Sequence, residues 1–269
     1  MRFEVTGIRR AAWAGQFYPG NAVALRRTVN DFLADARKTE QLDCKALVAP
    51  HAGYVYSGPV AASAFHHLEG QTGVVKRIIL LGPSHRVAFS GLAASANRAF
   101  ATPLGQVPLD LEVIEKWNAL PQVQIMDRAH EPEHSLEVEL PFLQVVLGEF
   151  TLVPLLTGDT TTAEVAEAIN LLWGGPETRI VVSTDLSHYL DYDSAVKQDL
   201  ATAQAIQALE PDEIQENQAC GCTALRGLLE AARQHHLQAR TVDLRNSGDT
   251  AGPRDRVVGY GAFVLGSRP

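Results

Sequence analysis

Short apolar runs alternate with helical patterns along most of this sequence, and that alternation restricts the fold more than any other feature. Lys45-Ala46-Leu47-Val48-Ala49, Ile78-Ile79-Leu80-Leu81, Thr151 to Leu156 and Arg179 to Ser183 read as buried strands. Leu92 to Ser95 is a further candidate, and two strands near 240–245 and 257–265 close the chain. Between these runs the spacing is helical. Asn21 stands where it would cap a stripe of Leu25, Val29, Phe32, Leu33 and Ala36. Thr161 and Glu164 have the spacing of a capping box ahead of Val165, Ala168, Ile169 and Leu172. Gly58 to Phe65, made of small residues, reads as a tightly packed helix. Leu136, Leu140, Leu143 and Leu147 form another stripe, in which Pro141 predicts a kink or a later start. Long helical patterns fill 191–209 and 222–236, and no repeat, linker or low-complexity segment interrupts the order. Such alternation predicts helices on both faces of a sheet. The expectation is an α/β fold, a single-domain α/β/α sandwich with a largely parallel central sheet, over residues 1–269.

Composition narrows the function classes. Hydrophobic residues make up 46% of the chain, enough for a large core and too many for disorder. The net charge is −8, with no basic stripe, so nucleic acid and anionic membrane surfaces are not expected partners. No apolar run approaches a membrane span and the opening MRFEVTGIRR lacks a signal-peptide core, so a cytoplasmic protein is expected. Three cysteines, Cys44, Cys220 and Cys222, are too few for a disulfide framework.

Three strands end alike. Leu47-Val48-Ala49 runs into Pro50-His51, Ile79-Leu80-Leu81 into Gly82-Pro83-Ser84-His85, and Ile180-Val181-Val182 into Ser183-Thr184-Asp185-Leu186-Ser187-His188. In a parallel sheet these carboxyl ends share one edge, where open α/β sheets hold ligands and chemistry. A lone histidine after a strand is usually a loop or capping residue. Three at one station argue for a shared site. Imidazoles with a carboxylate or thiolate suit iron, zinc or copper. Asp185-x-x-His188 would add a ligand, a base or a carboxylate that orients an imidazole. A serine hydrolase built on Ser84, Ser183 or Ser187 is the weaker reading, because no G-x-S-x-G elbow is present. Neither a Walker-type loop nor a G-x-G-x-x-G fingerprint occurs.

The remaining polar groups divide. Cys220 falls at a helix start, where amide donors and the dipole would favour thiolate, and is a plausible ligand. Cys222 shares a stripe with Leu225, Leu228 and Leu229 and reads as packing, and Cys44 as structural. His130 suits a turn, while His134 is equally consistent with the site and with a helix cap. His66, His67, His235 and His236 carry no partner signal and are expected to be exposed.

Taken together, these residues resemble the Memo family. The resemblance runs nearly end to end: GQFYP (15–19), APHAGYVYSG (49–58), ILLGPSH (79–85), EHSLEVELPF (133–142), VSTDLSHY (182–189), NQACG (217–221) and GYGA (259–262). It implies a class III extradiol dioxygenase-like fold and a metal pocket whose ligands match His51, His85 and Cys220, with Fe(II) first and Cu or Zn as alternatives. Asp185 and His188 match further polar residues of that pocket, His188 standing where the dioxygenases keep a catalytic base. The dioxygenases use a glutamate where this sequence has Cys220, and a thiolate is easily oxidised, so ring cleavage does not follow. The implied function is a non-haem metal-binding protein with a dioxygenase-like pocket, a metal-dependent oxidoreductase acting on a small organic substrate. Alternatives are a non-catalytic module binding a peptide or partner protein, with Tyr54, Tyr56 and Tyr189 lining a groove, or a metal sensing or delivery protein. Prokaryotic members are described as one component of a system with a radical SAM protein and an AMMECR1-like protein, which are the implied partners.

Overall fold

A computed structural model describes residues 4–37, 42–117 and 119–267. The first half runs β1 (Ile8–Arg9), α1 (Ala22–Ala34), β2 (Asp43–Ala49), α2 (Tyr54–Phe65), β3 (Arg77–Pro83) and β4 (Leu92–Ala94). It continues through β5 (Ala99–Thr102), β6 (Gly105–Pro108), α3 (Leu111–Trp117), β7 (Val123–Ile125), α4 (Asp127–His130) and α5 (Leu140–Leu147). The second half runs β8 (Thr151–Thr157), α6 (Thr162–Leu171), β9 (Thr178–Ser183), β10 (His188–Leu190) and α7 (Tyr192–Ala208). It ends with α8 (Cys222–Gln234), β11 (Gln238–Asn246), α9 (Ser247–Thr250) and β12 (Val257–Ser267).

One α/β domain results, a large sheet flanked by helices. Its strand order is β10-β12-β2-β9-β3-β8-β4-β7, with β11 also pairing β12. The centre, β2-β9-β3-β8, is parallel, as its buried apolar runs predict. The flanks are not. β12 lies antiparallel to β2 and β11, and β4 antiparallel to β8, so the sheet is mixed. β11 and β12 are consecutive strands joined through the short α9, a connection that antiparallel pairing permits and a parallel crossover does not. A smaller sheet, β1-β5-β6, stands apart.

Local chemistry accounts for several helix starts. Asn21 accepts hydrogen bonds from the Val23 and Ala24 N–H groups and caps α1. The Thr161–Glu164 capping box opens α6. Pro141 sits in the first turn of α5, behind a separate 3-10 turn at Glu137–Glu139. There its missing N–H costs nothing, so the helix starts late rather than kinking. α2 begins at Tyr54, ahead of the small-residue stretch, and its Gly58 lies so close to α1 that a Cβ would meet the Phe32 ring at 2.4 Å. Among the described residues, no helix is long and apolar enough to cross a membrane.

Register positions the site. Ala49 pairs with Ser183, Leu81 with Val182 and Pro83 with Thr157, so β2, β9, β3 and β8 finish at one edge. His51, Ser84-His85 and the segment from Thr184 to His188 leave the sheet there.

Candidate metal centre

Three imidazoles meet at that edge. His51, His85 and His134 each offer a nitrogen, and these atoms lie within 4.8 Å of one another. The ring centroids are 5.2 Å apart for His51–His85, 5.3 Å for His51–His134 and 4.6 Å for the stacked pair His85–His134. Cys220, from the loop before α8, brings its Sγ to 3.4 Å from His51 Nε2. Of the two readings open for His134, the structure selects the cluster.

Outer partners hold the rings. His51 Nδ1 lies 2.8 Å from Ser183 Oγ, and His85 Nδ1 lies 2.9 Å from Glu133 Oε1. Both rings therefore turn Nε2 inward, the arrangement in which a second hydrogen bond orients a ligating imidazole. The second oxygen of Glu133 accepts the His85 backbone N–H at 2.6 Å, so one carboxylate fixes both the loop and its ring. His134 Nδ1 lies 3.2 Å from Glu133 Oε1, but the angle makes no hydrogen bond and the nitrogen is a buried orphan.

Burial sets the charges. It pushes the His51 pKa down to about 3, with the neighbouring His85 adding to the effect. His134 is pushed to about 3 as well, by burial and then by His51. These rings stay neutral near pH 7 and keep their lone pairs. For Glu133, burial alone would raise the pKa, but the His85 contact and the backbone N–H donors of Ser135 and His85 outweigh it and bring it to about 2. Asp185, at 5% exposure, is raised to about 6 by burial, opposed by the charge of His188 and the N–H groups of His51 and Ala52.

The Cys220 thiol departs from the expectation drawn from its helix start. Burial, reinforced by Asp185, pushes its pKa up to about 12, against the N–H groups of Asp185 and Gly221. Desolvation outweighs the few amide donors, so the group is a thiol, and a cation bound there would have to displace its proton. The Asp185 N–H points at Sγ from 3.3 Å, and Gly221 N–H donates to Thr184 Oγ1 at 2.8 Å. A Cβ on Gly221 would come within 2.8 Å of Thr184 Cβ and 2.9 Å of the Ser183 carbonyl. Glycine is what lets the Cys220 loop touch the end of β9.

Asp185 Oδ1 accepts the His51 N–H at 2.8 Å and so ties β9 to β2 across the site. His188, exposed, has Nδ1 2.8 Å from the Leu186 carbonyl, which makes that nitrogen a donor. The loop bearing both residues is braced from two sides. Asp199 of α7 accepts from Ser187 N–H and Oγ at 3.0 Å each, and Gly259 of β12 exchanges backbone bonds with Leu186 and Ser187 at 2.8 Å each.

The buried glutamates of the EHSLEVELPF segment escaped the sequence reading. Glu133, Glu137 and Glu139 stand beside a helix start, where a charged side chain ordinarily meets water, yet all three are buried. Glu137 accepts from Arg9 Nη1, the Ala12 and Trp13 N–H groups and the Tyr18 hydroxyl. That clamp holds the segment that sets Trp13 and Phe17 against His134, with ring centroids 5.6 and 4.7 Å away.

Several expectations change. Tyr54 is core, 3% exposed with its hydroxyl donating to the Val138 carbonyl, and lines no open groove; Tyr56 and Tyr189 are exposed. His67 is buried and His66 pairs with Glu69, because the chain turns back onto the core after α2. His235 and His236 are exposed, the first stacked on Trp173. His130 is buried away from the cluster, its Nε2 3.0 Å from the Ala93 carbonyl. Cys44 and Cys222 are buried, as expected of packing residues.

Imidazoles that converge within 4.8 Å, an orphan nitrogen on His134 and a thiol beside them fit a borderline divalent cation. The family model described as Memo-like protein matches residues 9–264. A MEMO1 family protein of Sulfolobus acidocaldarius is 34% identical over 278 residues, covering 94% of this chain and 97% of the relative. One from Aquifex aeolicus is 34% identical over 270 residues, covering 96% and 99%. One from Saccharolobus islandicus is 34% identical over 286 residues, with the same shares.

Proposed function

The chain belongs to the Memo-like family, and from that premise we propose that it is a metal-dependent oxidoreductase acting on a small organic substrate. His51 and His85 would hold the metal through Nε2, with Cys220 as third ligand and Fe(II) the first candidate. The observation that carries this reading is the convergence of imidazoles from the ends of β2 and β3 with Cys220 Sγ at 3.4 Å from His51. A cation there supplies, when bound, a Lewis-acidic and redox-capable centre. The chain's own residues do the rest. Asp185 fixes the backbone under His51, and His188 offers Nε2 to a substrate proton. Trp13 and Phe17 pack against His134 on one side of the cluster.

Metal analysis of protein purified without added metal tests the reading, alongside His85→Ala. The variant is expected to lose the metal, and unchanged content would overturn the site. His134→Ala decides a narrower point. Its nitrogen lies within the same 4.8 Å group, so it competes with Cys220 for the third position.

A second reading, a binding module for a peptide or partner protein, is favoured by the exposed Tyr56 and Tyr189 beside the site. Tyr189 follows His188 directly and holds φ of 59°, a conformation a tyrosine rarely adopts. Oxygen uptake with a panel of catechols and related substrates separates the two, since sustained turnover excludes a purely binding role.

A further inference from the structure

Ser183 Oγ sits between three groups. His51 Nδ1 is 2.8 Å away, the Ser135 carbonyl 2.7 Å and Glu139 Oε1 2.6 Å. A hydroxyl has one proton to donate and two lone pairs to accept with. The Ser135 carbonyl accepts only, so the serine proton belongs to it. Both remaining neighbours must then be donors. If Glu139 were ionised, two acceptor oxygens would compete for one serine proton, and one would face Oγ lone pair to lone pair.

We propose that Glu139 stays protonated in the folded protein and, through Ser183, keeps the His51 proton on Nδ1, so that the Nε2 lone pair faces the metal position. Its use to the site rests on the metal reading; the proton count does not. Glu139 is fully buried, and its other oxygen, Oε2, has no partner. An ionised carboxylate with a bare oxygen in the interior is strongly disfavoured. Burial raises the Glu139 pKa well above the usual carboxylate range, the Ser183 contact opposes that, and Asp185 adds to it. Were the His51 proton on Nε2 instead, Ser183 would have to donate to Nδ1. The Ser135 carbonyl would lose its donor, and an N–H would block the face turned to Cys220. Glu139 acts through Ser183 and is thus a positioning residue.

The test uses metal-free protein first. Infrared difference spectra at neutral pH should contain the carbonyl stretch of a protonated carboxyl that shifts in deuterated water and is absent from Glu139→Gln. Nitrogen-15 shifts of His51 should show the proton on Nδ1 in the wild type and in Glu139→Gln, whose amide still donates. Glu139→Met, which removes the donor, should mix the tautomers and weaken zinc binding, read by chelator competition, by about 10- to 100-fold. A wild type without that band, or with the His51 proton on Nε2, would overturn the proposal. So would Glu139→Met with unchanged tautomer and zinc affinity. If Glu139→Met does not fold, the infrared and nitrogen results on the other two proteins still decide. Failure of the wild type to bind zinc or iron counts against the metal reading and leaves the proton count to stand or fall on its own spectra.

Discussion

Cys220 and Cys222 are two residues apart and share no surroundings. Cys220 Sγ reaches His51 and the Asp185 N–H, whereas Cys222 Sγ lies 3.7 Å from the Ile214 carbonyl in the packing under α8. Cys220→Ser should therefore weaken metal binding about 10- to 100-fold or more, judged by what even outer-shell losses cost. Cys222→Ser should leave metal content near wild type and cost about 1 kcal/mol of stability in urea unfolding, because a hydroxyl replaces a buried apolar group. The reverse pattern would remove Cys220 from the ligand set. Gly221→Ala should cost about 1–3 kcal/mol, since its Cβ would overlap Thr184 and the Ser183 carbonyl, and should displace Cys220. Histidines at strand ends announce themselves, so His51 and His85 were legible in the sequence. His134 was not, because its position depends on how the segment after α4 folds back over the edge. Nor were the glutamates: a charged side chain in a turn normally points to water, and only the fold reveals that these do not.

α4 is a single turn, yet its last residue offers a clean test of electrostatics. Burial pushes His130 down to about 4 from its usual 6.5, against the bond to the Ala93 carbonyl. A folded pKa below the unfolded one means that the neutral ring's contribution is complete above pH 6.5 and is lost as pH falls towards 4. The stability gap between wild type and His130→Gln, measured as urea midpoints, should thus shrink between pH 7.5 and 5. A constant gap would mean that the ring is already protonated or solvated. Thr161→Ala, which breaks the capping box of α6, should cost about 1 kcal/mol at any of these pH values. Long elements were readable because their stripes repeat over several turns. β5, β6, β7 and β10 were not, since three or four residues give no period to detect.

A cation bound only by the folded chain links occupancy to global stability. With free metal at a hundred times Kd, the holo form should be about 2.7 kcal/mol more stable. A chelator should lower the unfolding free energy of the wild type in urea by that margin and leave His85→Ala unchanged; equal shifts in both would place the stabilising ion elsewhere. Alternation along the sequence was sufficient for the parallel centre of the sheet. It was silent on the flanks, because the late strands carry no local mark of which neighbour they join. β12 is the decisive case. It lies between β2 and the pair β10–β11, and its Gly259 braces the loop of Asp185 and His188. Of the described strands it is also the last to leave the ribosome. Until it does, β2 presents an unpaired edge and the loop of Asp185 and His188 has no brace on that side, although every candidate ligand has already been synthesised. The histidines and the thiol are therefore made before the strand that frames them, so a cation met before β12 pairs would meet them without that frame.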